Sequence, residues 1–483
     1  MSCVKDTTIR IAGKDFSYNG PIGDFIDKLL EKGGDKIVEI GEDSVVLDMD
    51  QDYYVVGVSN DEKTSWRRIS QISRHPANGG LVKVYTMSGK TTTATLSHSF
   101  LKRTEKGIEP ILGSELKVGM RIPVAKNIPE FMNPLEFFEI GEFGKVPLTR
   151  DLGWLCGAYL ADGFASTTCI SIAKVIPEYR YKVKEVVEEM FEVKTSYREN
   201  DVTGVFRAPY NEKTYKSGVT VFNSKDLSNF LGGNFGKGSY NKSIPEWVFK
   251  SNKEFIAGVI GGYFDGDGNV NSQEGKQMIR SGSVSESLTS DMIVLLSYFG
   301  IFASKCLERP SVINFKDFHT VQISRKYSKL FKQEIGFVVK EKADGVDKII
   351  EYVENASERV SEKEMIDMIP ELGDAIGYIG ETLALPGQSR LYKRWMKKEA
   401  VGRNTLIKYI SLFEKENEEK KHKGVSEKIE LLKQAAFSDV VWDKIVKIEY
   451  IDDPKEYVYD FTVPGNDSFM VDTGVLVHNT LNT

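Results

Sequence analysis

Residues capable of acyl-transfer chemistry lie near both ends of the sequence. Cys3 is near the start, and His478, Asn479 and Thr480 are near the end. A cysteine thiol can attack the carbonyl of the residue before it, here Ser2, through a five-membered ring. An asparagine side-chain amide can attack its own main-chain carbonyl, which closes a succinimide and cuts the chain. These residues could therefore break two peptide bonds, with the threonine as an acyl acceptor.

A histidine at the end of a predicted strand is a candidate proton donor for this chemistry. The stretch Thr95-Leu96-Ser97-His98 closes the strand that begins at Thr92. Imidazole exchanges protons near neutral pH, although a histidine at a strand end is more often a surface or structural residue. The histidine is therefore a candidate for catalysis only in combination with the residues at the two ends of the sequence.

Four elements together resemble the splicing motifs of inteins, the self-splicing insertions of the Hint family. They are Cys3–Thr8, Thr95–His98, Val458–Val463 and Val475–Asn479, in the family's order. The resemblance implies protein splicing without a cofactor, between flanking segments (exteins) of a host protein. It assigns catalytic roles to Cys3, Thr95, His98, Asp460, His478, Asn479 and Thr480.

One position departs from that pattern. Asp467 stands where many inteins have a histidine, seven residues after Asp460. This departure leaves open how the last step is assisted. A Hint domain that cleaves without ligating is the alternative, and it is disfavoured because Thr480 directly follows Asn479.

The middle of the sequence contains an internal repeat. Residues 155–163 and 260–268 each show an apolar helical pattern with small residues four apart, ended by Asp-Gly. Small residues at this spacing share one helix face and allow two helices to approach closely. Asp162 and Asp267 would then lie at adjacent helix ends, and each following glycine would leave its helix in the left-handed conformation. A second match, 221–231 with 321–331, predicts two αββ-type halves around a pseudo-two-fold axis.

This repeat resembles LAGLIDADG homing endonucleases, which are frequent insertions in large inteins. The resemblance implies double-strand cutting of a DNA homing site, with Asp162 and Asp267 catalytic and bound to Mg²⁺. It also indicates Lys242 and Lys342 as catalytic basic residues, with Lys340 an equal alternative to Lys342. A relic that binds DNA without cutting it is the alternative function, and a purely structural helix pair is less favoured.

Residues 346–435 are helical in pattern and match neither motif set. Basic residues strongly outnumber acidic ones between Pro386 and Ile410, and Val401-Gly402 predicts a turn before a helix over Leu406–Lys415. This pattern favours a helix-turn-helix that contacts DNA phosphates, and a basic face without a partner is the alternative. The predicted DNA contacts are Arg390, Lys393, Arg394, Lys397, Lys398, Arg403 and Lys408.

Strand patterns at both ends predict the scaffold that positions the acyl-transfer residues. Residues 3–125 alternate short strands with turns and contain one amphipathic helix, Ile22–Lys32, and strands return from Trp442 onward. The predicted fold class is multidomain, with an all-β Hint domain built from both ends and an inserted α+β endonuclease with an extra helical subdomain. The predicted segments are an N-extein remnant (1–2), the Hint domain (3–125 and 436–479), a linker (126–146), the endonuclease (147–345), the helical subdomain (346–435) and a C-extein remnant (480–483).

Composition bounds these expectations. The 483 residues predict two to four domains, and 41% hydrophobic with 28% charged residues is typical of a soluble globular protein. The formal net charge of −6 requires that any DNA-binding surface be a local patch. No apolar run approaches membrane-spanning length, so no membrane partner is expected. Four cysteines without Cys-x-x-Cys spacing favour a reducing, cytoplasmic setting, and a monomer is expected.

Overall fold

The structure is a computed structural model. It describes residues 2–479 except 42, 78, 98–99, 207–210, 310–316, 356–365, 386–399, 453, 455 and 466. The chain divides into two units, the first formed by Met1–Pro129 with Ala356–Thr483 and the second by Glu130–Asn355. The fold is therefore multidomain and mixed in helix and sheet, and each unit is described by itself.

Helices are concentrated in the second unit. Those of the second unit are α2 (Arg150–Asp162), α3 (Pro177–Phe191), α4 (Lys225–Asn234), α5 (Lys253–Asp267), α6 (Glu286–Ser297), α7 (Ser328–Glu334) and α8 (Lys340–Asn355). Those described in the first unit are α1 (Ile22–Gly33), α9 (Gly373–Leu383), α10 (Arg403–Lys420) and α11 (Lys423–Ala436). Side-chain caps fix several starts: Thr149, Ser224 and Asn252 each accept a hydrogen bond from a main-chain N–H three residues on.

Within the described residues, the first unit contains one large antiparallel sheet and two separate two-stranded sheets. Its strands in the N-terminal part are β1 (Cys3–Val4), β2 (Thr8–Gly13), β3 (Phe16–Pro21), β4 (Val38–Gly41), β5 (Ser44–Asp48), β6 (Tyr54–Val58), β7 (Thr64–Arg68), β8 (Gln71–Pro76), β9 (Leu81–Thr86), β10 (Thr91–Thr95), β11 (Phe100–Thr104), β12 (Gly107–Ile111) and β13 (Arg121–Ala125). The strands of the second unit belong to separate sheets. They are β14 (Phe137–Glu139), β15 (Lys145–Pro147), β16 (Gly163–Ala165), β17 (Cys169–Ala173), β18 (Thr195–Phe206), β19 (Asn211–Asn223), β20 (Asn269–Asn271), β21 (Met278–Ser283), β22 (Ala303–Glu308) and β23 (Phe318–Ser324). The first unit resumes with β24 (Met368–Pro370), β25 (Ala400–Gly402), β26 (Val440–Ile451), β27 (Tyr457–Thr462), β28 (Ser468–Val471) and β29 (Val475–His478).

Strands from the two chain ends interleave in this sheet. The described order is β4-β5-β8-β27-β1-β10-β9-β26-β13-β29-β28-β2-β6-β7, with β3 on β2. Thus β27 lies between β8 and β1, and β26 lies between β9 and β13. The prediction that the C-terminal strands complete the sheet begun by residues 3–125 is confirmed. Short strands with alternating apolar residues bury a core that includes Trp442, Phe469 and Leu476.

The second unit repeats one arrangement twice. α2, β16, β17, α3, β18, β19 and α4 are followed by α5, β20, β21, α6, β22, β23 and α7. Each half forms a four-stranded sheet with the same connectivity, β16-β17-β19-β18 and β20-β21-β23-β22. The predicted repeat is therefore real. Each half contains more elements than the expected αββ pattern, because two further strands and two further helices follow its first hairpin.

The region predicted as a helix-turn-helix has a different structure. Ala400–Gly402 forms β25, which pairs with β24, and α10 begins directly at Arg403 without a side-chain cap. Residues 386–399, which carry most of the predicted basic contacts, lie outside the described residues. The expected turn at Val401-Gly402 is wrong because both residues belong to a strand.

Candidate functional sites

The first site begins where β1 meets its two neighbours. Cys3 pairs with Ala94 of β10 on one side and with Tyr459 of β27 on the other. The side chain of Cys3 is fully buried. Residues near opposite ends of the chain are thus held together by main-chain hydrogen bonds, so the position of the thiol depends on strand register.

The carbonyl that the thiol would attack is also held by the sheet. The main-chain N–H of Thr95 donates to the carbonyl oxygen of Ser2 at 3.1 Å. Ser2 is only 1% exposed. A fixed donor on this oxygen would stabilise the negative charge that develops during attack. Thr95 is therefore at the predicted site, and its main chain makes the contact, while His98 lies outside the described residues.

Two ionisable groups at this site have perturbed acidities. Burial, and then the nearby carboxyl groups of Asp460 and Asp472, raise the pKa of the Cys3 thiol well above its usual range. Burial raises the pKa of Asp460 to about 7, and its carboxylate accepts a hydrogen bond from the N–H of Phe461 at 2.8 Å. At neutral pH the thiol is protonated and the carboxyl group is close to half-protonated, so the carboxyl can take or give a proton.

The other end of the chain reaches the same strand, β27. The side-chain Nδ2 of Asn479 donates to the main-chain carbonyl of Phe461, and its main-chain N–H donates to the carbonyl of Asp467. Among the described atoms, no partner is found for the buried Oδ1 of Asn479. Because Cys3 pairs with Tyr459, two residues before Phe461, this strand contacts both ends. Thr480 lies outside the described residues.

Asp467 contacts the terminal asparagine through its main chain, and His478 directly precedes that asparagine. Asp467 has a φ of 45°, and its carbonyl oxygen accepts a hydrogen bond from the N–H of Asn479. His478 is half-buried at the end of β29, opposite Ser468. The residue at 467 thus contributes a main-chain acceptor to the terminal asparagine. The sequence could not show this contact, because a main-chain acceptor leaves no residue-type signature.

The second site is built on very close packing of α2 and α5. A Cβ atom added at Gly157 would lie 2.1 Å from the carbonyl oxygen of Val259, and one at Gly262 would lie 2.0 Å from that of Trp154. Gly153 and Gly258 make equivalent backbone contacts one turn earlier. The predicted close approach is confirmed at Gly157 and Gly262, and it extends one turn further than the predicted pairs.

The glycines after the two acids differ from the expected left-handed caps. Gly163 has φ −86° and ψ 150°, and Gly268 has φ −75° and ψ 150°, both extended. Cβ atoms there would lie 2.5 Å from the Tyr159 oxygen and 2.2 Å from the Phe264 oxygen. The expectation of left-handed residues is wrong. Glycine is needed at each position because the chain turns into a strand too close to the last helical turn for any side chain.

The two acids are brought together at the ends of these helices. Asp162 ends α2 and Asp267 ends α5. Burial, and then the charge of Asp162, raise the pKa of Asp267 to about 6. Two carboxylates that repel each other in a partly desolvated place favour a cation between them. Groups of three or more potential metal ligands are not found in the described part of the chain, so solvent or a substrate would complete any coordination.

Both predicted lysines lie at this site. The Nζ of Lys242 is 3.4 Å from the Ala161 carbonyl oxygen, and the Nζ of Lys342 is 2.6 Å from that of Asp265. Burial lowers the pKa of Lys242. Burial and the charge of Lys174 lower the pKa of Lys342 to about 8. Of the two alternatives, Lys340 and Lys342, it is Lys342 that the structure places at the end of α5. Lys340, by contrast, is exposed at the start of α8.

The carboxylate of Asp265 explains why Lys342 lies at the end of α5. The residue is fully buried, and its carboxylate accepts hydrogen bonds from Trp154 Nε1 at 2.8 Å and from the N–H groups of Val338 and Val339. It thereby fixes the chain just before α8 and so the position of Lys342. The first repeat has Leu160 at the equivalent position, so this support belongs to one half only.

A third lysine, Lys174, was missed by the sequence analysis. Its Nζ lies 2.9 Å from Asp162 Oδ2 and 2.9 Å from the carbonyl oxygen of Gly266. An ammonium group on these two oxygens shows that the helix ends form a site for positive charge. Lys174 follows β17 outside both motifs, and no spacing rule connects it with Gly266.

One predicted DNA contact is buried. The guanidinium of Arg403 pairs with Asp367 and donates to the carbonyl oxygens of Ala435, Ala436 and Val440. The prediction that Arg403 contacts DNA phosphates disagrees with this placement, because its donors are used inside the unit. Lys408 is exposed on α10, whereas Arg390, Lys393, Arg394, Lys397 and Lys398 lie outside the described residues.

Comparison with known families identifies the chain. Residues 19–479 match the intein splicing domain. The chain belongs to the intein splicing family. The DNA-directed RNA polymerase subunit Rpo1C of Methanocaldococcus jannaschii is 35% identical over 511 residues, covering 100% of this chain and 55% of that protein. This intein thus spans about half the length of that relative.

Other similarities are weaker. The glutamine–fructose-6-phosphate aminotransferase of the same organism is 29% identical over 68% of this intein and 27% of its own length. Among solved structures, the transcription factor IIB Mvu mini-intein matches 27% of this chain and 73% of its own, at 22% identity and TM-score 0.25. I-DmoI in complex with DNA and Mn matches 39% of this chain and 97% of its own, at 13% identity and TM-score 0.29. Each helix in the described ranges is too short or too polar to span a lipid bilayer.

Proposed function

We propose that this intein excises itself by splicing initiated by Cys3 and joins its flanking segments at Thr480. The observation that carries this proposal is the contact of β27 with both ends: Cys3 pairs with Tyr459, and Asn479 Nδ2 donates to the Phe461 carbonyl. Holding the reacting groups on one strand converts a reaction between distant segments into a local one.

The first step exchanges a peptide bond for a thioester. The thiol sulfur of Cys3 attacks the Ser2 carbonyl carbon, and the bond between that carbon and the Cys3 nitrogen breaks. The thiol proton leaves through a base, and the nitrogen gains a proton. Asp460 is suited to the proton transfers because its pKa of about 7 lets it accept and return a proton. The Thr95 N–H stabilises the oxyanion on the Ser2 oxygen.

The later steps transfer and release the acyl group. The hydroxyl of Thr480 attacks the thioester, which frees the Cys3 thiol. Nδ2 of Asn479 then attacks its own carbonyl carbon, the bond to the Thr480 nitrogen breaks, and a succinimide forms. The hydrogen bond from this nitrogen to Phe461 O, and that from the main-chain N–H to Asp467 O, orient the asparagine for ring closure. An O-to-N shift then joins Ser2 to Thr480 by a peptide bond.

Thiol cleavage of the Asn479→Ala variant tests the first step. This variant cannot close the succinimide, so the thioester or ester persists and dithiothreitol should release residues 1–2. A matched Cys3→Ala, Asn479→Ala chain should release nothing. Equal release from both chains, or none from the variant that keeps Cys3, would reject the cysteine-initiated mechanism.

We infer that the second unit is a DNA endonuclease. The observation that favours it is the pair Asp162 and Asp267 at touching helix ends, surrounded by Lys174, Lys242 and Lys342. These oxygens fit Mg²⁺, because carboxylates and carbonyls are its preferred protein ligands. When bound, Mg²⁺ would supply an activated water and charge neutralisation at the phosphate. The lysines would bind the phosphate and balance the charge of the two acids.

The sheets of this unit offer a surface for double-stranded DNA. In the second half, strand register places Arg280, Gln322 and Ser304 side by side. The neighbouring register row, Ile279, Ile323 and Ala303, is buried. Polar and basic side chains on one face suit contacts with base edges and phosphates. Additional phosphate contacts stay a prediction for the exposed Lys408 and for the basic residues between 386 and 399, which lie outside the described residues. Arg403 is no longer included in that prediction.

Cleavage of DNA carrying the uninterrupted host sequence tests the endonuclease. Double-strand breaks that require a divalent cation and disappear with Asp162→Asn would support it. Binding without cutting by the unaltered chain would favour the relic instead. The relation to Rpo1C makes a homologous RNA polymerase gene the first DNA to test, and we infer that a homologous subunit is the host protein.

A further inference from the structure

The residue before Cys3 is held by its side chain as well as by its carbonyl. The Ser2 hydroxyl oxygen lies 2.5 Å from Nε2 of His75. His75 belongs to β8, which is separated from β1 by β27. It lies outside every splicing motif that the sequence analysis used. The two contacts of Ser2, to His75 and to the N–H of Thr95, are with strands on opposite sides of β1.

The second ring nitrogen of His75 decides the direction of this hydrogen bond. Nδ1 lies 2.9 Å from the carbonyl oxygen of Pro76. A carbonyl oxygen can only accept, so Nδ1 carries the hydrogen. Burial lowers the pKa of His75, which favours the neutral ring. In the neutral ring Nε2 then has a lone pair, and the Ser2 hydroxyl donates to it.

We propose that His75 is a positioning residue that reads the side chain preceding Cys3 and selects a hydrogen-bond donor there. This proposal rests on the proposed splicing function. Anchoring the hydroxyl and the carbonyl of one residue fixes the orientation of the peptide group that Cys3 attacks. A side chain without a donor leaves the Nε2 lone pair buried and unsatisfied, and a carboxylate places two acceptors against each other.

Rates of thiol-induced release test the proposal, measured by intact mass in the Asn479→Ala background. Ser2→Ala and His75→Asn should each slow release about three- to tenfold, the effect of one hydrogen bond on a barrier. Asparagine can still donate to Pro76 O but has no acceptor at the place of Nε2. The double variant should be no slower than either single variant, because both remove the same contact.

The His75→Gln variant is the matched control. Its side-chain oxygen can reach the position of Nε2, so it should release residues 1–2 within about twofold of the parent when Ser2 is present. His75→Asn should therefore slow the parent chain but have little further effect on the Ser2→Ala variant. Equal slowing of both chains would overturn the proposal, since it would show a structural role that is independent of the side chain before Cys3.

A second readout separates this proposal from the failure of splicing itself. In a Cys3→Ala chain, which cannot react, the nitrogen-15 shifts of the His75 imidazole report the hydrogen bond directly. Ser2→Ala should move the Nε2 resonance and leave Nδ1 unchanged. Unchanged Nε2 resonances would overturn the proposal whether or not the parent chain splices.

Discussion

The two units position their reactive groups by different means. In the first unit main-chain atoms hold the substrate groups: Thr95 N–H on the Ser2 carbonyl, and the Phe461 carbonyl on Asn479. In the second unit side-chain charges gather at two helix ends that glycines bring together. The splicing site therefore depends on strand register, and the proposed endonuclease site depends on helix contact and charge balance.

The two units also differ in how repulsion between acidic groups is offset. Burial is the main cause of the raised pKa values of Cys3 and Asp460, and nearby carboxyl groups raise them further. Asp267 is shifted by burial and by a like charge, and lysines offset that repulsion. Conservative changes of one charged group should thus affect each unit separately, which makes the comparison testable.

The largest expected effect is the full separation of the two activities. Asp162→Asn with Asp267→Asn should abolish DNA cutting and leave splicing within about twofold, because a carboxamide cannot supply the anionic cation ligand. Cys3→Ala with Asn479→Ala should do the reverse. Parallel assays of DNA cleavage and of spliced mass check both variants, and loss of both activities in either one would contradict the independence of the sites.

Glycine substitution tests the role of helix contact. Gly262→Ala places a Cβ 2.0 Å from the Trp154 carbonyl oxygen, so it should destabilise the second unit by about 3 kcal/mol or more and abolish cutting. Gly261→Ala is the matched control, since its nearest neighbours would be 3.7 Å away. It should be neutral or slightly stabilising, as alanine is the better helix former. Calorimetry of both variants measures the difference, and equal unfolding temperatures would be the contrary result.

The ionised carboxylate of Asp460 should lower the stability of the folded chain above neutral pH, although the same group contributes to the proposed splicing. Its folded pKa of about 7 is above its unfolded value, so the folded state keeps a proton that the unfolded state loses as pH rises from about 4 to 7. This group therefore lowers stability at pH 8 by up to about 4 kcal/mol relative to pH 4. Asp460→Asn should raise the melting temperature at pH 8, leave it nearly unchanged at pH 4, and slow splicing.

Melting curves of the parent and of the Asp460→Asn variant at the two pH values check this prediction. A variant that is less stable than the parent at pH 8 would show that the carboxylate is bound favourably in the folded state.

The smallest expected effect distinguishes two neighbouring lysines. Lys342→Met should slow DNA cutting about tenfold or more, because Lys342 Nζ lies at the carbonyl oxygens that end α5. Lys340→Met should change the rate less than twofold, because Lys340 is exposed. Single-turnover cleavage at one salt concentration compares them, and the opposite order would show that α8 is placed differently on DNA.

The sequence alone predicts most of the residues that lie at the two sites. It predicts less about which of their atoms make the contacts. Cys3, Asp460, Asn479, Asp162 and Asp267 were predicted from motifs that resemble those of inteins and homing endonucleases, and these motifs consist of side chains whose chemistry the reactions require. Contacts made through main-chain atoms leave no such signature, as with the N–H of Thr95 and the carbonyl of Asp467. Lys174 was missed for a related reason, because its partner Gly266 belongs to the other half of the repeat.

A local excess of basic residues predicted the placement of side chains less well than the motifs did. Arg403 was grouped with neighbouring basic residues because the sequence shows charge but not burial, and the structure gives its guanidinium internal partners. The glycine after each acid was predicted to be left-handed, and this is wrong, yet glycine is required at both positions. The requirement comes from the close approach of residue 163 to Tyr159 and of residue 268 to Phe264, which the extended conformation directly after the last helical turn produces.

Intact mass spectrometry of the purified chain, before and after warming at neutral pH, tests the central claim most directly. The account predicts a new species that spans Cys3 to Asn479 with a terminal succinimide, together with a ligated peptide of residues 1–2 and 480–483. Neither product should form from the Cys3→Ala, Asn479→Ala chain. An unchanged mass under all conditions, or release of the flanks without their ligation, would contradict splicing by this chain.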